Sequence, residues 1–223
     1  MTGEKPVSTI SHSFIPPVPP GWDAATNWDN WPSHIPPTLP PFRLADASGS
    51  SRHQTAVRLC YDVHALYVRF DCADRDIWGT LTQRDDPIYN EEVVELFIAF
   101  GSETPTEYAE LEISPNGVLF DAWVQNPTGD RAQMVVDTAW NWPGIRWSVQ
   151  RMDEHNHWRA NLLLPWVGIV PSGPLPTVWR ANFYRIERPR NAAAEFSCWS
   201  PTHTDPADFH RPERFGTLQI ETA

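Results

Sequence analysis

Short β-like runs separated by turn residues are the feature that most constrains the fold of this chain. From Thr55 onward, turn residues recur every ~8–12 residues, and no amphipathic helix of ordinary length fits between them. The runs are Ala56–Tyr61, Leu66–Cys72, Val93–Phe100, Tyr108–Ser114, Val118–Val124, Arg146–Arg151, Trp158–Leu164, Val178–Ile186 and Phe215–Ile220. Many short strands at this spacing are typical of a β-sandwich or a β-barrel.

Two local signals refine this prediction. Asn116-Gly117 lies between two of the runs and is a strong signal for a β-hairpin. Leu164-Pro165-Trp166 and the residues that follow are compatible with one short helical turn. We therefore predict an all-β fold, an antiparallel β-sandwich of two sheets that is jelly-roll-like.

The N-terminal segment, residues 1–42, is rich in proline and cannot form a continuous helix or a central strand. It also carries Trp22, Trp28 and Trp31, and three tryptophans make full exposure to water unfavourable. We predict an arm packed on the body of the protein, followed by one β-sandwich domain at 43–223. A free linker is the alternative interpretation.

Charge narrows the possible partners. The chain of 223 residues has a net charge of −11, which argues against nucleic acid and against an anionic membrane surface. This negative charge is more consistent with a neutral or cationic ligand. The twelve tryptophans supply core packing and also flat platforms for ligands.

Targeting and redox signals are weak. Three cysteines without close spacing predict neither a disulfide framework nor a zinc site. Residues 1–10 have no apolar stretch of the kind that a signal peptide contains, and no run is long enough to span a bilayer. The sequence as written indicates a cytoplasmic protein, but a secreted chain without its leader would look the same.

Strand alternation predicts one polar and aromatic sheet face. Val94, Leu96 and Ile98 share a face that is entirely apolar, so Glu95 points to the other face. The same reasoning assigns Val118, Phe120, Ala122 and Val124 to the core. The predicted outward set is Glu95, Glu110, Glu112, Asp121, Trp123, Asn182 and Tyr184. Such side chains suit sugar recognition, although a solvated face with cross-strand ion pairs is the simpler alternative.

Two polar loops each place an aromatic residue, which we expect to be exposed, a few residues before a strand. Tyr89 lies in Arg84–Ile98, and Phe209 lies in Asp208–Ile220. Both segments resemble parts of the family 9 carbohydrate-binding modules, as do Asp62-Val-His-Ala-Leu-Tyr-Val-Arg-Phe and Trp199-Ser-Pro-Thr. The resemblance covers the chain from about Thr55 to the C-terminus.

The resemblance implies a binding site. In the family, two aromatic side chains hold a sugar ring between them and a strand Glu contacts its hydroxyls. Tyr89, six residues before Glu95, matches the first aromatic, and Phe209 matches the second. The family has Trp at both places and an Arg near the position of Glu110 or Glu112, so this chain departs from the pattern there.

We therefore predict a non-catalytic protein that binds a mono- or oligosaccharide, with no nucleic acid and no membrane partner. A carbohydrate-active enzyme of the glycoside hydrolase type is an alternative that would use the same carboxylates. A haem-binding relative is another, although neither Met134 nor Met152 has a persuasive setting for an axial ligand. Calcium is the one cofactor that the resemblance suggests, with Asp74, Asp76 and Asp86 as weak candidate ligands.

Overall fold

The computed structural model describes residues 9–170 and 173–221, and these residues form thirteen β-strands. The strands are β1 (His12–Ile15), β2 (Arg43–Leu44), β3 (Thr55–Tyr61), β4 (Ala65–Ala73), β5 (Val93–Phe100), β6 (Glu107–Ile113), β7 (Leu119–Gln125), β8 (Val135–Asp137), β9 (Arg146–Met152), β10 (His157–Pro165), β11 (Val178–Glu187), β12 (Glu195–Cys198) and β13 (Gly216–Ile220). Short 3₁₀ turns occur at Ile88–Asn90, Arg131–Gln133, Asp153–His155, Trp166–Gly168 and Pro212–Arg214. No helix in the described ranges is long and apolar enough to cross a bilayer.

The strands form two sheets. The larger has the order β1-β13-β11-β5-β6-β7-β8, with β12 bridging β11 and β2, and the smaller has the order β3-β4-β10-β9. Every pairing is antiparallel except that of β1 with β13. The predicted all-β sandwich is confirmed, and each of the nine predicted runs matches a strand to within one residue at either end.

The turn between β6 and β7 forms as its sequence predicts. The amide of Gly117 donates to the carbonyl of Ser114 at 2.9 Å, and the amide of Ser114 donates to the carbonyl of Val118 at 3.0 Å. Gly117 has φ +82°, a left-handed conformation that glycine adopts without steric cost. This tight connection fixes the register of β6 against β7.

The main core lies between the two sheets. Val94, Leu96 and Ile98 contribute to it from β5, and Leu66 and Val68 contribute from β4. Large aromatic residues complete it: Phe70, Trp142, Trp158, Trp166, Trp179, Phe183 and Trp199. Alternation therefore identified the inner face of both strands correctly.

A second apolar cluster covers the outer face of the larger sheet. Phe97, Tyr108 and Tyr184 rise from three neighbouring strands, and Phe209 and Phe215 pack on them from the C-terminal loop. The outer face of the larger sheet is therefore not fully solvated, because the C-terminal loop covers part of it. The part left open forms the cleft described below.

The described part of the N-terminal arm lies on the outer face of the smaller sheet. The ring of Trp22 lies 4.9 Å from that of Trp31 and 6.0 Å from that of Tyr67 on β4. Trp28 is buried beneath the guanidinium of Arg146, 5.0 Å from the ring centroid. Within the arm, β1 also adds a parallel strand to the edge of the larger sheet, while residues 1–8 lie outside the described residues.

Candidate functional site

A cleft of about 560 Å³ opens on the outer face of the larger sheet. Its walls come from the loop around Tyr89, the C-terminal loop around Phe209, and residues that precede and form β8. Three glutamates lie in its lining, together with the aromatic side chains of Tyr89, Phe120, Phe196 and Phe209. Aromatic walls around a few convergent polar groups are typical of a small-molecule site.

The three glutamates, which we call the Glu cluster, are Glu95 on β5 with Glu110 and Glu112 on β6. Glu95 lies directly opposite Glu112 in the antiparallel register. Glu110 precedes Glu112 by two residues on β6 and therefore lies on the same face of the sheet. One carboxylate oxygen from each lies within 4.8 Å of the other two. All three side chains are buried, so three titratable carboxyl groups have been brought together away from bulk water.

Burial decides the ionisation of the Glu cluster. It raises the pKa of Glu110 to about 7, and it raises the pKa of Glu95 well above its usual range. The pKa of Glu112 is also raised well above its usual range by burial and by the neighbouring carboxylates of Glu95 and Glu110. Carboxyl groups that retain protons near neutral pH can both donate and accept hydrogen bonds.

The cations near the Glu cluster do not neutralise it. His210 Nε2 lies 3.9 Å from Glu110 Oε1, but burial lowers the pKa of His210 to about 4, so the ring is neutral at pH 7. The His210 Nδ1 is hydrogen-bonded to the Tyr108 hydroxyl at 2.8 Å. Arg131, at the rim, pairs with Asp208 at 3.1 Å.

The two predicted aromatics both line the cleft, but they are not equivalent. Tyr89 is 42% exposed, and its ring meets the ring of Phe120 edge-on at 5.9 Å. Phe209 is only 7% exposed, because its face stacks on Tyr184 at 4.2 Å and its edge meets Phe196. The expectation that Phe209 is an exposed loop residue was wrong, since Tyr184 draws it into the outer apolar cluster.

Asp121 and Trp123 lie on the opposite face of the sheet, which corrects the sequence-based prediction. Pairing across β6 and β7 sets Phe120 beside Glu112, so Phe120 faces the cleft and its neighbours in sequence face inward. Asp121 accepts a hydrogen bond from the Trp142 amide at 2.6 Å. The Trp123 indole packs at the edge of the inter-sheet core and donates to Glu107 at 3.0 Å.

Asn182 and Tyr184 lie on the same outer face as the Glu cluster, but their contacts stabilise the fold. The Asn182 amide donates to the Ser200 carbonyl at 2.7 Å, and its oxygen accepts from the Ser200 amide at 2.9 Å. Tyr184 supports Phe209 from below, and its hydroxyl donates to the Phe209 carbonyl at 2.9 Å. Both are buried, and neither lines the cleft.

Several lining residues were not predicted from the sequence. They are Asn90, Phe120, Arg131, Met134, Val136, Thr138, Ile186, Arg188, Phe196, Ala207 and His210. Most come from short or irregular segments that carry little periodicity. One residue in the sequence does indicate the turn that carries Arg131. The carboxylate of Asp130 caps the turn at Arg131–Gln133 by accepting a hydrogen bond from the Ala132 amide at 2.9 Å.

The predicted calcium ligands Asp74, Asp76 and Asp86 do not form one site. Asp76 is paired with Arg190, while Asp86 accepts hydrogen bonds from the loop amides of Thr82 and Gln83. Asp76 is therefore occupied by a long-range ion pair, and Asp86 is occupied by contacts within its own loop.

Asp74 instead belongs to a buried set with Glu92 and Glu187. Arg185 lies among these carboxylates, with its Nη2 at 3.0 Å from Asp74 and in contact with Glu187. Because the guanidinium already supplies a positive charge, a calcium ion does not fit this set without displacing Arg185.

Comparison with known proteins assigns the chain to a class and then to a family. Its sandwich fold, with an aromatic and carboxylate cleft, is that of a carbohydrate-binding β-sandwich. The sequence model of carbohydrate-binding family 9 matches residues 47–220, and the chain belongs to that family. The resemblance drawn from the sequence is therefore confirmed.

Three similar proteins illustrate the relationship. A protein of Arthroderma benhamiae named "Extracellular protein" is 28% identical over 215 residues, covering 90% of this chain and 88% of the relative. A structure of a candidate carbohydrate-binding protein from Bacteroides uniformis has a TM-score of 0.73 at 15% identity, covering 96% of this chain and 100% of that one. A family 9 module of Caldicellulosiruptor kristjanssonii in complex with cellotriose has a TM-score of 0.60 at 13% identity, covering 96% of this chain and 95% of that one.

Proposed function

We propose that this protein binds a mono- or oligosaccharide in the cleft above the Glu cluster, without catalysing its cleavage. The observation that carries the proposal is the convergence of Tyr89, Phe209 and the Glu cluster on one cleft. Aromatic faces stack on the apolar C–H faces of a pyranose, and carboxyl groups form hydrogen bonds with its hydroxyls. The family assignment supports the same ligand class.

The two aromatics would have different shares in binding. Tyr89 is the better stacking surface, because almost half of its side chain is free. Phe209 would offer only the part that Tyr184 and Phe196 leave uncovered, so it would act more as a wall than as a second platform. The sugar ring would then rest mainly against Tyr89, with its hydroxyls turned to the Glu cluster.

The geometry of the carboxylates favours binding over hydrolysis. Retaining glycosidases place their two carboxyl groups ~5–5.5 Å apart, and inverting enzymes place them ~6.5–9.5 Å apart. Here one carboxylate oxygen of each glutamate lies within 4.8 Å of the other two, and the three carboxyl groups lie side by side on the floor of the cleft rather than on opposite sides of it. Burial also raises the pKa of all three, whereas a glycosidase needs one of its two carboxyl groups ionised as nucleophile or base.

Calorimetric titration with glucose and cello-oligosaccharides tests the proposal. Wild type should bind at least one of them, and Tyr89→Ala should weaken that binding by on the order of 1 kcal/mol, the contribution of one stacked ring. Phe14→Ala is the matched control, because Phe14 is 46% exposed on β1 and does not line the cleft. Equal binding by wild type and Tyr89→Ala would remove the stacking role, and a panel with no binder would remove the function.

A further inference from the structure

Outside the Glu cluster, two buried carboxylates of the described residues form no ion pair with arginine: Glu92, and Glu91, which accepts hydrogen bonds from Thr80. The other buried carboxylates are paired with arginine. The pairs are Asp71 with Arg58, Arg69 and Arg159, Asp74 and Glu187 with Arg185, Asp121 with Arg84, and Glu195 with Arg52. Among the described residues, no lysine or arginine forms an ion pair with Glu95, Glu110 or Glu112. A buried carboxylate group without a cation is costly, so its retention in a cleft points to a ligand.

Glu112 supplies a second observation of a different kind. Its side chain is 2% exposed, and its Oε2 accepts no hydrogen bond from any residue that the structure describes. The same side chain lies in the lining of the cleft. An unpartnered buried polar atom costs about 1–3 kcal/mol unless something in the cleft satisfies it.

The three oxygens lie close enough together to surround one primary ammonium group. An ammonium has three N–H donors in tetrahedral directions, and charge-assisted N–H···O distances are about 2.7–2.9 Å. Three acceptors around one such nitrogen lie roughly 4.6 Å apart by that geometry. The three oxygens of the Glu cluster lie within 4.8 Å of one another, whereas a neutral hydroxyl could donate to only one of them.

We propose that the cleft is selective for a sugar carrying a free amino group, whose ammonium is held by Glu95, Glu110 and Glu112 while the ring rests on Tyr89. This inference rests on the proposed function and names its ligand class. N-acetylation should weaken binding, because it removes the charge.

The other charged groups at the cleft leave room for this cation. Arg131 is engaged by Asp208 at the rim, and the guanidinium of Arg188 lies over the ring of Phe196 at 5.3 Å. His210 is neutral and is hydrogen-bonded to Tyr108. Both arginines lie on the walls and leave the floor open, and an ammonium next to aromatic rings gains an attraction from their faces.

Three β-1,4-linked oligosaccharides of equal length test the selectivity, since they differ only in carrying an amino, a hydroxyl or an acetamido group at one carbon. Calorimetric titration should give a Kd for the amino oligomer about tenfold or more below that of the hydroxyl oligomer, as expected for hydrogen bonds to a charged group. Glu112→Gln and Glu95→Gln keep the side-chain size and should each remove most of this preference. Glu103→Gln, an exposed residue outside the cleft, removes the same charge and should leave the preference intact.

The outcomes separate the two proposals. Equal or tighter binding of the hydroxyl or acetamido oligomer would overturn the amino-sugar inference and leave the proposed sugar-binding function standing. Failure of all three oligomers, and of the glucose series, to bind would overturn both. A preference that disappears when a chelator is added would assign the Glu cluster to a metal ion and would also overturn the inference. The wild-type comparison stands even if a variant misfolds.

Discussion

Raising the pH is expected to destabilise the ligand-free protein through the Glu cluster. Burial raises the pKa of Glu110 from 4.5 to about 7, so the folded state holds a proton that the unfolded state has already released. A carboxyl group of this kind stabilises the fold below its unfolded pKa, and that contribution is lost as the pH rises through the folded pKa. For Glu110 the window of loss therefore runs from about pH 4.5 to a little above pH 7.

The size of the effect follows from the two pKa values. Between pH 6 and pH 8, proton linkage for a single group with these values changes the free energy of unfolding by about 1.3 kcal/mol. Burial lowers the pKa of His210 to about 4, and its linkage has the opposite sign. That opposing effect is complete only above about pH 7.5, and it is common to wild type and to a variant at Glu110, so the difference between the two isolates the carboxyl group.

Urea denaturation of wild type and Glu110→Gln at pH 6 and pH 8 provides the assay. The variant cannot release a proton, so its stability relative to wild type should improve by about 1.3 kcal/mol on going from pH 6 to pH 8. Glu103→Gln controls for the loss of one negative charge at an exposed position. A difference between wild type and Glu110→Gln that is the same at both pH values, or that shrinks at pH 8, would refute the assignment of a proton to Glu110.

Three further predictions concern stability and can be measured by the same denaturation assay. Phe209→Ala should cost about 3 kcal/mol or more, because it empties a buried stacking position on Tyr184, whereas Tyr89→Ala should cost less than about 1 kcal/mol; similar losses for both would contradict the difference in burial. Arg185→Met should cost about 3–5 kcal/mol, since it leaves buried carboxylates without their cation, and a neutral outcome would mean that the network is not ionised. Trp31→Ala should cost about 3 kcal/mol if the arm is part of the folded unit, and no loss would indicate a detachable arm.

The strands could be predicted wherever both periodicity and length were sufficient. All nine runs of six residues or more were found, because alternation over that length is distinctive. The missed strands β1, β2, β8 and β12 have two to four residues and lie at the periphery of the sheet, where pairing rather than sequence pattern creates them. Their existence depends on tertiary contacts.

The error on β7 has a physical cause that alternation alone cannot reveal. Phe120, Ala122 and Val124 form an apolar row, and the row is buried as expected. However, the sheet has two buried faces here, since the C-terminal loop roofs the outer one. A hydrophobic pattern identifies a buried face but not which of two it is, so only the register with β6 could have placed Asp121 inside.

The site was predictable to the extent that its residues lie in recognisable segments. Tyr89 and Glu95 came from one segment with a known spacing, and alternation on β6 added Glu110 and Glu112. Arg188 and Phe196 come from the end of β11 and from β12, and they reach the cleft only through the folded topology. The burial of Phe209 likewise depends on a partner, Tyr184, that is distant in sequence.

A crystal structure of the protein with a bound oligosaccharide is the most direct test of the proposed binding site. We expect one sugar ring in the cleft, with its face about 4–5 Å from the ring of Tyr89. A polar substituent of that sugar should be hydrogen-bonded to Glu95 or Glu112. A sugar bound on another surface, or one in the cleft that contacts neither Tyr89 nor the Glu cluster, would contradict this prediction.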